Sequence, residues 1–212
     1  MDLATEMTGA DDRSAKLAVL SLDALETRNR ILGEADRLFR VYGYSKTTVA
    51  DIAEACRMSP ANVYRFFASK SAINNAICER VIADDEAALV GISRLPLPAS
   101  DRLQRMIIEL HRRSMENFIE NKKVHEMVMV ALEERWDSIR AHIHRVSDLF
   151  ATVIQDGIAG GEFRQQDTKR AAECVSTATA PMRHPMMLVQ CMDDPDKPTP
   201  AEMAEFIIRA LK

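Results

Sequence analysis

The stretch SPANVYRFFASK, residues 59–70, decides the fold because it carries two helix-start signals in close succession. Ser59 followed by Pro60 is typical of an N-cap and the first position of a helix, where the N–H that proline lacks would be unpaired anyway. Ser69 is a second N-cap candidate at the end of the same stretch. The spacing therefore predicts one short, aromatic-rich helix that is followed at once by another helix.

The segment before this stretch predicts two further helices. Apolar residues recur at the spacing of one helix face, at Ile31, Ala35, Leu38, Phe39 and Tyr42. Gly43 can end that helix because glycine adopts a positive φ at little cost. Thr48 and Asp51 have capping-box spacing, which indicates a short helix before the break at residues 56–58. Two short helices joined by a tight turn and braced by a longer helix indicate a helix-turn-helix.

The remainder of the chain also has the pattern of helices. The 212 residues include only 7 glycines and 5 % aromatic residues, and no segment shows the alternation of a half-buried strand. A small-residue helix is expected from residue 168 until Pro181 and Pro185 break it, and Thr199 with Glu202 predicts a capped final helix. The sequence therefore predicts an all-α fold of about nine helices, with an N-terminal three-helix helix-turn-helix domain and a larger C-terminal helical bundle.

The same patterns suggest where the domains begin and end. Residues 1–22 lack firm periodicity and are expected to form a flexible N-terminal arm. The helix-turn-helix domain is assigned to residues 23–70, and a connecting helix to residues 70–92. A proline-containing, linker-like stretch follows, so the second domain is placed at residues 93–212.

Charge and cysteine content limit the function classes. The net charge is −4, yet the segment of residues 24–70 carries eight Lys or Arg against five Asp or Glu, which favours a polyanion as partner at one end of the molecule. The four cysteines are widely spaced and form no CxxC pair, so no metal site, cofactor or disulfide framework is expected. Reduced thiols and the lack of a run of 18 apolar residues predict a cytoplasmic protein without a membrane partner.

Two sets of side chains are candidates for DNA contacts. Hydroxyl and ammonium groups that could reach phosphates are Thr47, Thr48, Tyr64 and Lys70. Side chains that could enter the major groove are Ala61, Asn62, Arg65 and Phe66. The Tyr64 and Phe67 rings are also expected to anchor the short helix to the core behind it. From spacing alone, a small helical hairpin without DNA binding remains an alternative.

Residues 27–77 have a specific resemblance to a known family. The stretch TRNRILGEADRLFRVYGYSKTTVADIAEACRMSPANVYRFFASKSAINNAI is similar to the N-terminal DNA-binding domain of TetR-family transcriptional regulators, and the motifs GY, TTVADIAEA and SP..VY..F..K fall in the family register without a gap. Three positions depart from the common pattern. The family often has Gly at the positions that Arg57 and Ala61 occupy in this chain, and His or Tyr at the position of Phe66. Arg57 is therefore expected to need a left-handed conformation.

The resemblance implies an all-α homodimer that represses transcription, has no enzymatic activity, and leaves its double-stranded DNA operator when a small-molecule effector binds the C-terminal domain. Residues 93–212 would then be the ligand-binding and dimerisation domain. The small residues of the segment 168–180 and the apolar stripe of the segment 203–211 would form a four-helix dimer interface. Packing of both faces within one chain is the alternative.

The C-terminal segment contains no specific motif for its ligand. Twelve methionines suggest an adaptable, partly apolar pocket. The candidate ligand-binding residues, each of which could instead fill the core, are Met106, His111, Met115, Met127, Trp136 and Met182. The competing function is an all-α ligand carrier or enzyme with an inert N-terminal bundle. Against it, the sequence has no nucleophile–base motif, phosphate loop or metal-ligand spacing.

Overall fold

All regular structure in the described part of the chain is helical, which confirms the predicted all-α fold. The structure is a computed structural model, and it describes residues 6–118, 127–130, 136–190 and 194–212. The helices are α1 (Glu6–Tyr42), α2 (Val49–Ala55), α3 (Pro60–Phe66), α4 (Lys70–Ser93), α5 (Ala99–Phe118), α6 (Trp136–Ala159), α7 (Thr168–Ala178), a 3-10 helix (Ala180–Met182), α8 (Pro185–Gln190) and α9 (Pro200–Leu211). Residues 127–130 are also helical. No helix in these ranges is both long enough and apolar enough to cross a membrane.

The chain divides into two compact units, residues 1–76 and 77–212. The sequence had placed the boundary later, at the stretch that contains Pro96 and Pro98. The division falls inside α4 because the first turns of that helix bury Ile73 and Ala76, which makes them part of the first unit. The assignment of ligand binding and dimerisation to residues 93–212 stays a prediction.

The first unit is a small helical bundle with a mostly apolar core, in which the polar side chains of Thr47 and Asn74 are also buried. All four of its helices and the residue after α3 contribute buried apolar side chains, of which seven represent the core. They are Ile31, Ala35, Phe39, Ile52, Val63, Phe67 and Ile73. The predicted caps hold the two short helices: Thr48 and Asp51 form the capping box of α2, and the Ser59 hydroxyl accepts from the Asn62 N–H at the start of α3.

The first helix is longer than the sequence pattern indicated. It begins at Glu6, so the backbone of residues 6–22 is helical where an irregular arm was expected. Good helix formers such as Ala15, Lys16 and Leu17 occupy this stretch, and between Gly9 and Gly33 no residue breaks a helix. A helix that is nucleated by its buried second half can therefore extend without an apolar stripe of its own. The flexibility of this stretch stays a prediction, and residues 1–5 lie outside the described residues.

The turn between α2 and α3 contains backbone strain. Arg57 has φ of 55°, and it is the one non-glycine residue with a positive φ in the described ranges. The Met58 N–H donates to the Ala53 carbonyl and the Arg57 N–H to the Glu54 carbonyl, so the turn is closed by hydrogen bonds that require this conformation. A left-handed conformation costs a residue with a Cβ about 1–2 kcal/mol. The expectation that Arg57 is left-handed is confirmed.

The second unit is built around α5, α6 and α9. Helix α5 packs against α6 and α9, and α7 packs against α6. The largest fully buried side chains of its main core are Leu89, Leu103, Met106, Ile107, Phe150 and Ile154. As expected, the small-residue helix ends before the prolines at 181 and 185: α7 stops at Ala178, Pro181 lies within the 3-10 helix, and Pro185 starts α8.

The loop after α6 ties the second unit together. The Glu162 carboxylate accepts hydrogen bonds from the Ala99 N–H at 2.7 Å, the Ser100 N–H at 3.0 Å and the Ser100 hydroxyl at 2.8 Å. It thus caps the N-terminus of α5 from a distant part of the chain. Next to it, the Phe163 ring lies on Gly157 so closely that a Cβ at position 157 would overlap the ring.

The conformation of Arg57 gives the first prediction. Arg57→Gly is expected to be about 1 kcal/mol more stable than Arg57→Ala, because glycine adopts the left-handed conformation without strain and alanine does not. Urea denaturation of the two variants measures the difference. Equal stability of the two variants would show that the turn relaxes to a negative φ in solution.

The Glu162 cap gives a prediction with a pH dependence. Burial alone raises the pKa of Glu162, but hydrogen bonds from Ser100 and Ala99 outweigh it and lower the pKa below its ordinary value of 4.5. A lowered folded-state pKa means that the carboxylate stabilises the fold above pH 4.5 and that this stabilisation is lost as the pH falls through the folded-state value. Glu162→Gln is therefore expected to cost about 1–2 kcal/mol at pH 7 and progressively less below pH 4.5.

The matched control for this prediction is Glu116→Gln. Glu116 is exposed on α5 and forms a surface ion pair with Arg112, so its loss is expected to change stability by less than about 0.5 kcal/mol. Thermal unfolding of both variants between pH 3 and pH 7 measures the two effects. If the loss of stability in Glu162→Gln did not vary with pH, the proposed role of the charged carboxylate would be contradicted.

Candidate nucleic-acid interface

Helix α3 is buried on one side only. Val63 is fully buried and Phe67, the residue after the helix, is 5 % exposed, whereas Ala61, Tyr64 and Arg65 point outward. The Tyr64 side chain is 52 % exposed. The expectation that the Tyr64 ring anchors α3 to the core is therefore wrong. Residues 63 and 67 are four apart and share the inner face, and residue 64 is rotated away from it.

The two other groove candidates lie at the edges of the exposed face. Asn62 and Phe66 are both half-buried. The Asn62 side-chain amide donates to the Met58 sulfur at 3.8 Å, which fixes its orientation near the start of the helix. An asparagine amide has two N–H donors and a carbonyl oxygen, so this contact leaves Asn62 with groups that can bind an adenine edge.

Thr47 is buried, and its hydroxyl is engaged within the protein. Its side chain is 2 % exposed, and its hydroxyl donates to the Gly43 carbonyl at 2.9 Å. The structure thus uses Thr47 to close the turn between α1 and α2. This geometry does not fit the predicted phosphate contact from the Thr47 hydroxyl, because a hydroxyl has a single hydrogen to donate.

Thr48 is exposed but its hydroxyl is also engaged. The Thr48 hydroxyl and N–H both donate to the Asp51 carboxylate, each at 2.7 Å, and the Asp51 N–H donates to the Thr48 hydroxyl at 3.2 Å. These hydrogen bonds, the one from the Thr48 backbone first, lower the pKa of Asp51. Thr48 therefore stabilises the start of α2, and its hydroxyl hydrogen is directed to Asp51 rather than to the solvent.

Lys70 makes contacts within the protein that the sequence did not indicate. Its ammonium group donates to the Tyr44 carbonyl at 2.9 Å and to the Thr47 carbonyl at 3.1 Å, and it lies 4.2 Å from the centre of the Tyr44 ring. The Tyr44 ring in turn packs edge-on against Phe39, 5.2 Å away. We name these contacts the Lys70 clamp. The clamp fixes the start of α4 to the turn before α2 and leaves one ammonium hydrogen for another acceptor.

A second cation packs on an aromatic ring in the same unit. The Arg28 guanidinium lies 4.9 Å from the centre of the Phe67 ring, just after α3. No periodicity in the sequence points to Arg28 or Tyr44, since both contacts join positions that are far apart along the chain. The GY motif at residues 43–44 was the one available signal for Tyr44.

The first unit exposes three cations on α3 and in the two turns that precede α2 and α3. Lys46, Arg57 and Arg65 are all exposed, and they belong respectively to the turn before α2, the turn before α3 and α3 itself. Exposed cations of this kind can neutralise phosphates and release bound counterions. The first unit therefore combines an exposed helix face with exposed positive charge.

The candidate ligand-binding residues separate into groups. Met106 belongs to the main core cluster of the second unit, which accounts for its burial. The His111 ring lies within hydrogen-bond distance of the Met182 carbonyl, 2.8 Å from Nδ1, so the structure brings these two candidates together. Met127 is buried and Met115 is half-buried. The prediction for the Trp136 side chain lies outside the described residues.

Comparison with known proteins places the chain in a family. The model for bacterial regulatory proteins of the tetR family matches residues 31–77, and the model for the tetracyclin repressor-like C-terminal domain matches residues 99–203. The chain belongs to the TetR family. The first match covers the helix-turn-helix, and the second covers most of the second unit.

Individual relatives agree with this assignment. The HTH-type transcriptional regulator UidR of Escherichia coli is 34 % identical over 70 residues, which cover 33 % of this chain and 34 % of UidR. The match thus spans about a third of the length of that relative. A TetR/AcrR-family regulator from Thermobifida fusca has a similar structure, with a TM-score of 0.65 and 21 % identity over 88 % of this chain and 96 % of the other. PfmR, a TetR-family regulator from Thermus thermophilus, gives a TM-score of 0.57 and 25 % identity over 86 % of this chain and 99 % of its own.

The Lys70 clamp gives a prediction that can be tested without DNA. Lys70→Met keeps the apolar stem but removes both hydrogen bonds and the cation over the Tyr44 ring. It is expected to lower the free energy of unfolding by about 1.5–3 kcal/mol, the usual range for hydrogen bonds to a charged group. Chemical denaturation measures the loss, and Lys46→Met, at an exposed lysine of the same unit, is the control with an expected change near zero. If both variants unfold like the unmodified protein, the clamp does not stabilise the domain.

Proposed function

We propose that the protein is a sequence-specific, DNA-binding transcriptional regulator that acts as a homodimer and represses its target genes. The observation that carries this proposal is the one-sided burial of α3, which leaves Ala61, Tyr64 and Arg65 outward in a unit that also exposes the cations Lys46 and Arg57. A helix with a small residue near its start and polar groups further along fits the major groove. Family membership supports the same function.

The contacts divide into positioning and reading. The Tyr64 hydroxyl and the exposed cations of the first unit would bind phosphates, and the remaining hydrogen of the Lys70 ammonium could add one more contact. Arg65 and Asn62 would contact base edges, and Ala61 and Phe66 would pack against thymine methyl groups. Phosphate contacts fix the register on the duplex, while base contacts select the sequence.

Dimerisation would pair two of these helices with two half-sites. Helices α7 and α9 are the proposed interface. The residue that favours an interface here is Phe206 on α9, which is 65 % exposed. A large apolar side chain at this exposure is of the type that a symmetric interface buries. Buried Ala172 and Ser176 on α7 already pack within the chain, so only part of the small-residue helix remains for a partner.

Control of DNA binding would come from a small-molecule effector bound in the second unit. An effector that prefers the conformation with reduced DNA affinity shifts the equilibrium by its differential affinity, and a few kcal/mol are enough. The region around His111 and Met182 is the proposed location. The proposed function is regulatory rather than enzymatic, and it would be carried out in the cytoplasm, where the DNA is.

The DNA contacts give a prediction for binding. Purified protein should select a common sequence from a random pool of duplexes, and its affinity for that sequence should fall steeply with salt. Tyr64→Phe is expected to weaken binding by about 1–2 kcal/mol, roughly 5- to 30-fold, and by a similar factor on different sequences, because it removes a phosphate contact. Gel shifts on the selected duplex and on two altered duplexes measure these ratios.

The matched control is Tyr42→Phe. Tyr42 is 56 % exposed at the end of α1 in the same unit, and its loss of a hydroxyl should leave DNA affinity unchanged. A protein that selects no sequence and binds no duplex even at low salt would refute the proposed function. Equal effects of the two substitutions would refute only the role of Tyr64.

A further inference from the structure

Arg183 is a cation in a partly apolar setting that the helix-turn-helix does not use. It follows the 3-10 helix, and its Nη2 donates to the Ser176 carbonyl at 3.0 Å and to the Ser176 hydroxyl at 2.6 Å. No carboxylate of the residues that the structure describes forms an ion pair with it. Burial lowers the pKa of the Arg183 guanidinium, and no carboxylate in these ranges opposes that effect.

Such a position has an energetic cost. A guanidinium loses hydration when it is covered by protein, and hydrogen bonds to neutral groups restore only part of that loss. Both bonds to Ser176 come from one terminal nitrogen. Nε and Nη1 carry three further N–H donors that can bind an anion. The missing interaction is therefore one with an anion.

The short helices before and after Arg183 each contribute a buried apolar side chain, and one of them adjoins a candidate ligand-binding residue. Met182 is 3 % exposed and Leu188 is 1 % exposed, and neither belongs to the main core cluster of the second unit. His111 reaches the Met182 carbonyl from α5, and α5 also packs against α8. Arg183 thus adds positive charge to an apolar region that is separate from the main core.

We propose that the effector is an amphipathic carboxylic acid, with an apolar body next to Met182 and Leu188 and a carboxylate bound by Arg183. This inference rests on the proposed control of DNA binding by a small molecule, and it specifies the chemical class of that molecule. The carboxylate supplies the negative charge that the described surroundings of Arg183 lack. The bonds to Ser176 hold the guanidinium in place before the ligand arrives, which reduces the entropy cost of binding.

The test uses the full-length protein and three pairs of probes that share a carbon skeleton: decanoate with 1-decanol, 4-phenylbutanoate with 4-phenylbutan-1-ol, and indole-3-acetate with indole-3-ethanol. Calorimetric titration without DNA measures each affinity. At least one acid should bind ten or more times as tightly as its alcohol. No binding by any acid, or equal affinities for acid and alcohol, would overturn the proposal, and this comparison needs no variant.

The variant arm connects the preference to Arg183. In Arg183→Met, the affinity for that acid should fall at least tenfold while the affinity for its alcohol stays the same. Arg164→Met, at an exposed arginine of the same unit, should bind both like the unmodified protein. Unchanged acid binding in Arg183→Met would overturn the assignment of the carboxylate to Arg183. If that variant does not fold, Arg183→Lys, which keeps the charge but replaces the planar guanidinium by a single ammonium group, should give an intermediate loss of acid affinity. An unchanged acid affinity in Arg183→Lys would again overturn the assignment.

A final measurement separates this inference from the proposed function. The acid that binds should displace the protein from its selected duplex in a gel shift, and the paired alcohol at the same concentration should not. Binding of the acid without displacement would overturn its role as the effector. A failure of the protein to bind any duplex would refute the proposed function, whereas the titrations without DNA would still decide whether Arg183 binds a carboxylate.

Discussion

The first unit depends on holding a seven-residue helix in place with only one face buried. An isolated helix of this length is not stable in water, because nucleation costs more than so few hydrogen bonds return. Helix α3 exists because Val63 and Phe67 pack into the core of the unit, and because Ser59 and Pro60 satisfy or remove the N–H groups at its start. The side chains on the outer face of α3 can stay exposed because these few contacts are enough to keep the helix folded.

The contacts around α3 explain why the unit contains so many aromatic and cationic side chains for its size. The Phe67 ring packs in the core, and the Arg28 guanidinium lies on that ring. The Tyr44 ring packs against Phe39, and the Lys70 ammonium lies on the Tyr44 ring. Each cation thereby covers an apolar ring while its charge remains near the surface. A bundle with a small core gains order in this way without additional apolar residues, and the outer face of α3 stays available.

Features that depend on neighbouring residues could be predicted from the sequence. The predicted N-caps at Thr48, Ser59 and Thr199 are confirmed. They could be predicted because an N-cap hydrogen bond joins residues that are only three apart in the sequence. The left-handed Arg57 could be anticipated from the tight turn and from the glycine that relatives often have there. These are local constraints, and the backbone has few other ways to satisfy them.

Features that depend on distant residues could not be predicted. Thr47 and Lys70 both carry groups suited to phosphate, yet both are turned toward backbone carbonyls of the segment that precedes α2. Tyr64 differs from the sequence expectation in the opposite direction: its ring was expected to anchor α3 to the core, but it is exposed to solvent. The residue types at these positions suit both roles, and only the packing of the whole unit decides between them. The length of α1 was missed for a related reason, because helix propensity without an apolar stripe gives no periodic signal.

The contact between Gly157 and Phe163 has a consequence for anyone who would diversify this protein. A Cβ at position 157 would overlap the aromatic ring, and the ring is held by the same loop that caps α5 through Glu162. A side chain at position 157 would therefore have to displace the Phe163 ring from its place on α6. Libraries that aim to retune what the second unit recognises should leave this glycine and its aromatic neighbour unchanged and randomise elsewhere.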